Sequence, residues 1–255
     1  MDIISSVSNN LVKRIKLLRD DSKIRKQLGE YIVEGENLID AIQNVSIIKE
    51  LIVEKTKLDN FSNLINKIGC KNLYLVSSNV MEAMSDTKTP SGILAIVEIK
   101  QDLDFGKSNI LVVADMIRDP GNLGTIMRTM AALNISDILC LNTVSPYSPK
   151  VVRSSMGGIF CLNIKEVNDS SYDLTDYRVL SLDMKGKNIY KELKIKKDEK
   201  IALVVGNEAN GLSEKIKKQT TDFISLPMLG EIESLNAGVA LSVALYQITF
   251  LLGGL

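Results

Sequence analysis

Short apolar runs alternate with amphipathic stretches along the first hundred residues. The apolar runs are rich in Ile, Leu and Val, as is typical of buried strands, and between them apolar residues recur at helical spacing. The predicted strands are 31–33, 47–53, 73–76 and 92–99, and the predicted helices are 9–18, 36–42, 61–68 and 77–84. This pattern predicts a small α/β unit of about four strands.

A polar, turn-rich stretch at 100–108 interrupts this alternation, and a new apolar strand begins at Ile110. We therefore predict an N-terminal domain at 1–100, a linker at 101–108 and a second domain at 109–255. The second domain repeats the α/β alternation with near-continuous apolar strands, which predict a mostly parallel sheet covered on both faces. Its predicted strands are 110–115, 137–141, 179–182, 201–205 and 223–226, and its predicted helices are 123–133, 151–160 and one from about Ser213.

The C-terminal stretch from Leu226 to Leu252 changes from a loop to an apolar helical pattern at Ser234. The Ser234 hydroxyl is the predicted N-cap of this helix, since it can accept a backbone N–H that the first turn leaves unpaired. A buried, capped helix explains the pattern. A ligand site at the helix start explains in addition why an amide, Asn236, lies on the first turn.

Charge, histidine and cysteine content limit the kinds of ligand and metal that the protein can bind. Lys plus Arg and Asp plus Glu number 31 each and the pI is about 6.4, so RNA or DNA would need a local basic patch. Residues 1–26 carry seven basic and three acidic side chains, which fit either phosphate contact or a solvated amphipathic helix. Histidine is absent, and three separated cysteines indicate a reduced, cytoplasmic protein without a metal site.

The uncharged segment from Gly238 to Leu255 is about as long as a membrane span. Ser242, Gln247 and Thr249 interrupt it, and no Lys or Arg flanks it. We therefore expect no membrane insertion.

Two constellations of polar and glycine residues follow predicted strands. The first, D-M-I-R-D-P-G-N-L-G-T-I-M-R-T-M at 115–130, is predicted to turn at Pro120-Gly121 and to start a helix near Gly124. The carboxyl end of a parallel strand is where ligands bind in such folds. A dinucleotide turn lacks its G-x-G-x-x-G fingerprint here, and a purely structural turn leaves Asn122 and Arg128 unexplained.

The second constellation, V-V-G-N-E-A-N-G-L-S-E at 204–214, places Gly206 directly after a strand and Glu208 in the turn that follows. A tight strand-to-helix turn accounts for the glycines. A glycine at this point also lets a flat ligand approach the backbone.

Together, N-L-G-T-I-M-R, G-N-E-A-N-G-L and L-P-M-L-G-E-I-E-S-L-N resemble, in order and spacing, the three motifs of the SpoU/TrmH family of RNA ribose 2′-O-methyltransferases. The resemblance covers about residues 110–252, and I-V-E-G-E-N-L-I-D-A resembles the L30e-like substrate-binding domain of ribosomal-RNA members. The chain departs from the third motif at Ala237-Gly238, where the family usually has Val-Ser. The resemblance implies a SPOUT-class α/β fold with a C-terminal trefoil knot, S-adenosylmethionine as cofactor and a homodimer.

The resemblance also assigns roles to individual residues. It implies that the cofactor lies against Gly206, Leu226, Met228, Ser234, Leu235 and Asn236, and that Arg128, Asn122, Glu208, Ser234 and Asn236 serve catalysis. The resemblance points to Arg128 as the group that acts on the ribose hydroxyl. Because a guanidinium keeps its proton, the alternative to a base is that Arg128 holds the adjacent phosphate and stabilises the developing alkoxide. The expected substrate is 23S ribosomal RNA. The alternative is a non-catalytic RNA-binding protein that keeps the fold.

Overall fold

The computed structural model describes residues 3–100, 105–106, 108–168 and 172–254. Its strands are β1 Ile3–Ile4, β2 Glu30–Glu34, β3 Ile48–Glu54, β4 Leu73–Val76, β5 Ile93–Glu98, β6 Ile110–Asp115, β7 Asp137–Leu141, β8 Asn163–Val167, β9 Arg178–Asn188, β10 Ile201–Val205 and β11 Asp222–Ser225. Its helices are α1 Asn10–Asp20, α2 Ser22–Leu28, α3 Glu36–Asp40, α4 Ser62–Ile68, α5 Ser78–Met84, α6 Pro120–Ala132, α7 Pro149–Ser154, α8 Glu214–Gln219 and α9 Ala237–Leu251.

The chain divides into two compact units. The first contains the described residues of 1–102 together with Tyr147–Phe160, and the second contains those of 103–146 and 161–255. Most of the predicted linker, 101–108, lies outside the described residues. The domain limits at 100 and 109 stay a prediction.

The first unit is built on a five-stranded sheet in the order β1-β4-β3-β5-β2. Strands β1, β4 and β3 run parallel, and β5 pairs antiparallel with both β3 and β2. Val12, Ile15 and Leu18 of α1 pack into its apolar core. The sequence predicted about four strands, because a two-residue strand at the start of the chain has no readable period.

The segment Tyr147–Phe160 completes this first unit from far along the chain. The Tyr147 ring packs against Tyr31 with ring centroids 5.1 Å apart, and both side chains are buried. Val151 and Val152 of α7 are also buried. The predicted helix at 151–160 is therefore shorter and earlier than expected, and a 3-10 turn at Gly158–Cys161 follows it.

Arginines of the N-terminal basic cluster hold the first unit together. Arg14 forms ion pairs with Glu30 and Glu50 at 2.5 and 2.6 Å. Arg25 is buried and donates to backbone carbonyls at the end of α1, and Arg19 donates to carbonyls at the end of α5. These three guanidinium groups serve the fold, which weakens the cluster as a phosphate patch.

The second unit contains a six-stranded, fully parallel sheet in the order β11-β9-β10-β6-β7-β8. Every residue of β6, β7 and β10 is buried, as the continuous apolar runs predicted. The α/β prediction is thus confirmed. Strand β8, at the sheet edge, was missed because its Asn-Ile-Lys-Glu-Val sequence has three polar residues and neither a continuous apolar run nor a strict alternation. The strand order does not establish the knot, which stays a prediction.

Helices α6 and α9 pack closely beside this sheet. A Cβ atom added to Gly238 would lie 3.1 Å from the Asn122 carbonyl oxygen, so the two backbones nearly touch. Farther along, the hydroxyls of Thr129 and Ser242 are 2.7 Å apart. This packing brings the start of α9 against the first turn of α6. Throughout the described residues, we find no helix that combines the length and apolarity of a membrane span.

Candidate active site

Three loops lie at the carboxyl ends of parallel strands in the second unit. Loop 1 (116–119) joins β6 to α6, loop 2 (206–213) joins β10 to α8, and loop 3 (226–236) joins β11 to α9. The carboxyl ends of parallel strands share one edge of a sheet, which is where α/β folds bind ligands. The three motifs found in the sequence supply these three loops and the helix starts that follow them.

A cavity of about 470 Å³ opens between loops 2 and 3. Its wall includes Gly206, Glu208, Leu226, Met228, Ser234 and Leu235, all of them predicted from the sequence. Residues that the sequence analysis missed also line it, among them Leu182, Asp183 and Met184 of β9, Asn207 and Glu233. No local pattern marks the three residues of β9, because their place in the wall follows from the pairing of β9 with β10 in the folded sheet.

The cavity wall carries acidic side chains. Asp183, Glu208 and Glu233 contribute carboxyl groups, and no lysine or arginine of the described ranges lines the cavity. This charge favours a ligand with positively charged groups. No group of three or more His, Cys, Asp and Glu side chains in the described part of the chain is arranged to hold a metal ion.

Gly206 allows loop 2 to fold back on itself. A Cβ atom here would lie 2.6 Å from the carbonyl carbon and oxygen of Gly211 and 2.8 Å from the Leu212 nitrogen. Asn207 and Gly211 then exchange two backbone hydrogen bonds of 2.9 Å across the narrow turn. That this glycine lets a ligand approach stays a prediction, and the structure shows that it admits the backbone of its own loop.

Helix α6 begins earlier than the sequence predicted. Asp119 is its N-cap, with a side-chain oxygen that accepts the Asn122 N–H at 2.9 Å, and Pro120 is the first helical residue. The expected turn at Pro120-Gly121 and start near Gly124 were wrong, because proline fits the first helical position, where its missing N–H costs nothing. Asn122 consequently lies on the first turn and is buried.

A chain of side-chain amides and one carboxylate joins the three motifs. Asn122 Nδ2 donates a hydrogen bond to Glu208 Oε1, and Asn236 Nδ2 donates to Asn122 Oδ1 at 2.7 Å. These residues are 86 and 114 positions apart in sequence. Asn122 therefore links loop 2 to the start of α9.

Asn236, rather than Ser234, is the N-cap of α9. Its Oδ1 accepts the Val239 N–H at 3.2 Å, and the helix begins at Ala237. The prediction that Ser234 caps this helix was wrong, because an Asn side chain caps as well as Ser and its amide Nδ2 can bond to Asn122 at the same time. Ser234 instead lines the cavity.

Arg128 lies apart from this arrangement. It is exposed on α6, does not line the cavity, and has no hydrogen bond or ion pair within the described residues. At 100° per residue, Arg128 and Asn122 point to different sides of the helix. Asn122 and Asn236 do not line the cavity but are linked to its wall by the hydrogen bond from Asn122 to Glu208, whereas Arg128 belongs to neither group. The roles assigned to all the predicted site residues stay predictions.

A buried carboxyl group accepts a hydrogen bond from the last residue of loop 2. Asp115, at the end of β6, is almost fully buried, and its Oδ2 accepts the Ser213 N–H at 2.6 Å. Burial raises the Asp115 pKa, while hydrogen bonds from Ser213 oppose the increase. Ser213 in turn caps α8, as predicted, by accepting the Ile216 N–H. Loop 2 is therefore tied to β6 at its far end.

Comparison with protein families assigns both parts of the chain. Residues 109–246 match the SpoU rRNA Methylase family, and residues 9–95 match the MRM3-like substrate binding domain. The chain is 29% identical over 255 residues to the 23S rRNA (guanosine(2553)-2′-O)-methyltransferase RlmP of Bacillus subtilis, and the alignment covers 97% of this chain and 99% of the relative.

Solved structures share the fold. The SpoU methyltransferase AviRb from Streptomyces viridochromogenes, solved in complex with AdoMet, superposes with a TM-score of 0.83 at 23% identity, covering 94% of this chain and 96% of AviRb. The AdoMet-bound rRNA methyltransferase from Sinorhizobium meliloti gives a TM-score of 0.79 at 24% identity, covering 98% and 97%. The resemblance drawn from three short motifs is confirmed: the chain belongs to the SpoU rRNA methylase family.

Proposed function

We propose that the protein transfers a methyl group from S-adenosylmethionine to a ribose 2′-hydroxyl of 23S ribosomal RNA in the cytoplasm. The observation that carries the proposal is the hydrogen-bonded chain Glu208–Asn122–Asn236, which joins the three family motifs beside one cavity. The match to a substrate binding domain and the activity named for the B. subtilis relative favour ribosomal RNA.

The cavity fits this cofactor in size and charge. Leu226, Met228 and Leu235 supply apolar surface for an adenine ring, and Gly206 lies in the same wall. The carboxylates of Asp183 and Glu233 complement the sulfonium and amino groups of the cofactor. When bound, S-adenosylmethionine supplies a methyl group on a good leaving group. The loops hold the donor and the acceptor in line, and this alignment contributes much of the rate.

The ribose hydroxyl needs help from the protein because it is a poor nucleophile. In our proposal, Asn122 and Asn236 orient the ribose, and Glu208 fixes the Asn122 amide. Arg128 has no partner among the described side chains, so its charge is available for the RNA. It holds the adjacent phosphate and stabilises the developing alkoxide, since a guanidinium does not accept a proton at neutral pH.

The exposed face of α9 supports a homodimer. Val239, Val243, Tyr246 and Phe250 are exposed and follow one another at helical spacing, while the opposite face of α9 is buried. A second copy of this chain covers such a stripe with the same stripe. Sedimentation equilibrium tests this assembly, and a monomer at micromolar concentration contradicts it.

The proposed activity is tested by mapping ribose methylation. Ribosomal RNA is isolated from cells with and without the gene, and one 2′-O-methyl group should disappear from 23S RNA and return when purified protein and S-adenosylmethionine are added. Calorimetry with S-adenosylmethionine distinguishes the proposed enzyme from the alternative without catalytic activity. Binding of RNA without binding of the cofactor would identify a non-catalytic RNA-binding protein.

A further inference from the structure

Asn207 lies between Gly206 and Glu208, and its side chain uses both ends of its amide. Nδ2 donates a hydrogen bond of 3.0 Å to the Met116 carbonyl in loop 1. Oδ1 accepts the N–H groups of Ala209 and Asn210, each at 3.0 Å, inside loop 2. One side chain thus shapes loop 2 and ties it to loop 1.

The residue that Asn207 holds is strained. Met116 follows β6 directly and has a φ of 56°, in the left-handed region that non-glycine residues rarely adopt. Such a conformation is unfavourable for a residue with a Cβ atom and persists only where neighbouring contacts hold it. Two contacts do so here: the Met116 N–H donates to the Leu141 carbonyl at 2.8 Å, and its carbonyl accepts from Asn207.

The β6–α6 connection is therefore held at two points by two adjacent residues. Asn207 bonds to Met116 at its beginning, and Glu208 bonds to Asn122 on the first turn of α6. Because Asn207 also fixes the N–H groups that follow Glu208, it fixes the backbone from which the exposed Glu208 side chain reaches Asn122. The direction of the Asn122 amide, and through it of Asn236, depends on this arrangement.

We propose that Asn207 is a positioning residue for methyl transfer, which acts by keeping the hydrogen bonds between Glu208, Asn122 and Asn236 in place. The inference rests on the proposed function, since it assumes that this chain orients the ribose. The family resemblance assigns roles to Gly206 and Glu208 but none to Asn207, which lies between them. Asn207 contacts no reacting atom in this role.

Two substitutions separate the functions of the amide. Asn207→Asp keeps an oxygen for the Ala209 and Asn210 N–H groups but removes the donor, so it cuts the tie to Met116 and leaves loop 2 bonded. Asn207→Ala removes both. Asn210→Ala is the matched control, because Asn210 is an exposed amide in the same loop whose side chain has no hydrogen bond among the described residues.

The experiment measures single-turnover methyl transfer with saturating S-adenosylmethionine and ribosomal RNA from cells that lack the gene. We expect Asn207→Asp and Asn207→Ala to slow transfer by about 10- to 100-fold, since a displacement of about 1 Å costs up to about 100-fold. Asn210→Ala should stay within about twofold of the unaltered protein, since no contact is lost. Melting temperatures are recorded for each variant.

A double substitution distinguishes positioning from general stability. If Asn207 acts through Glu208, Asn207→Asp should slow the Glu208→Gln protein by no more than about twofold, because residues that act as one unit are not additive. Effects that multiply would overturn the proposal. So would a full rate in Asn207→Asp, or unfolding of both Asn207 variants at assay temperature. If the unaltered protein transfers no methyl group, the proposed function fails and the inference fails with it.

Discussion

Replacing Gly206 by alanine tests whether the cavity depends on the close turn of loop 2. The added Cβ would meet the Gly211 carbonyl carbon and oxygen at 2.6 Å, and the Leu212 nitrogen at 2.8 Å. All three are backbone atoms, so no flexible side chain can move away from the new methyl group. Either Gly206 or the strand of loop 2 that faces it must shift.

The required shift follows from the contact distances. Non-bonded carbon atoms rest about 3.5 Å apart, so the 2.6 Å contact is short by about 0.9 Å. Forcing an extra methyl group into a well-packed site costs about 1–3 kcal/mol. A displacement of this size also moves Glu208, which lies in the same turn, and an error of about 1 Å at a reacting centre costs about 100-fold in rate. We therefore expect lower stability, weaker cofactor binding and slower methyl transfer together.

Three measurements check the Gly206→Ala variant: unfolding in urea, calorimetry with S-adenosylmethionine, and methyl transfer to ribosomal RNA. Gly230→Ala is the control, since Gly230 is exposed in loop 3 and a Cβ there has no atom within 4 Å. The control should match the unaltered protein. If Gly206→Ala also keeps its stability within about 0.5 kcal/mol and its cofactor affinity, the close approach of the two backbones does not govern the cavity.

Two further predictions concern charged side chains. Hydrogen bonds from Ser78, Lys57 and Thr56 lower the Glu54 pKa from 4.5 to about 2, although burial opposes them. Because the folded pKa is below the unfolded one, this stabilisation is present above pH 4.5 and is lost as pH falls towards 2. The free energy of unfolding in urea should therefore fall less between pH 6 and 3 in Glu54→Gln than in the unaltered protein. An unchanged pH dependence would exclude this role. Arg128→Ala should reduce methyl transfer by at least about 100-fold and leave calorimetric cofactor affinity unchanged, because Arg128 does not line the cavity; loss of cofactor binding would contradict the assignment.

Local patterns in the sequence were sufficient for the α/β class and for most of the strands. Continuous apolar runs identified β6, β7 and β10 as buried parallel strands, because a strand covered on both faces is apolar along most of its length. Glycine and amide residues after β10 identified loop 2, which lines the cavity. Both patterns depend only on residues within a few positions of one another, so they can be recognised in the sequence without the structure.

Local patterns could not predict hydrogen bonds between residues that are far apart in sequence. The choice of Asn236 over Ser234 as the helix cap is linked to Asn122, which is 114 residues away. The role of Asn207 likewise depends on Met116, 91 residues away. A polar side chain reveals what it can donate or accept, but only the folded chain determines which partner is within reach.

What the sequence determined by itself was the α/β class, the family and the set of polar residues available to the site. The tertiary structure decided how those residues are used. It assigned arginines of the N-terminal cluster to ion pairs and helix ends, included Tyr147–Phe160 in the first unit, and left Arg128 outside the cavity wall. The physical reason is that periodicity and capping are local, whereas burial and side-chain pairing depend on segments that only folding brings together.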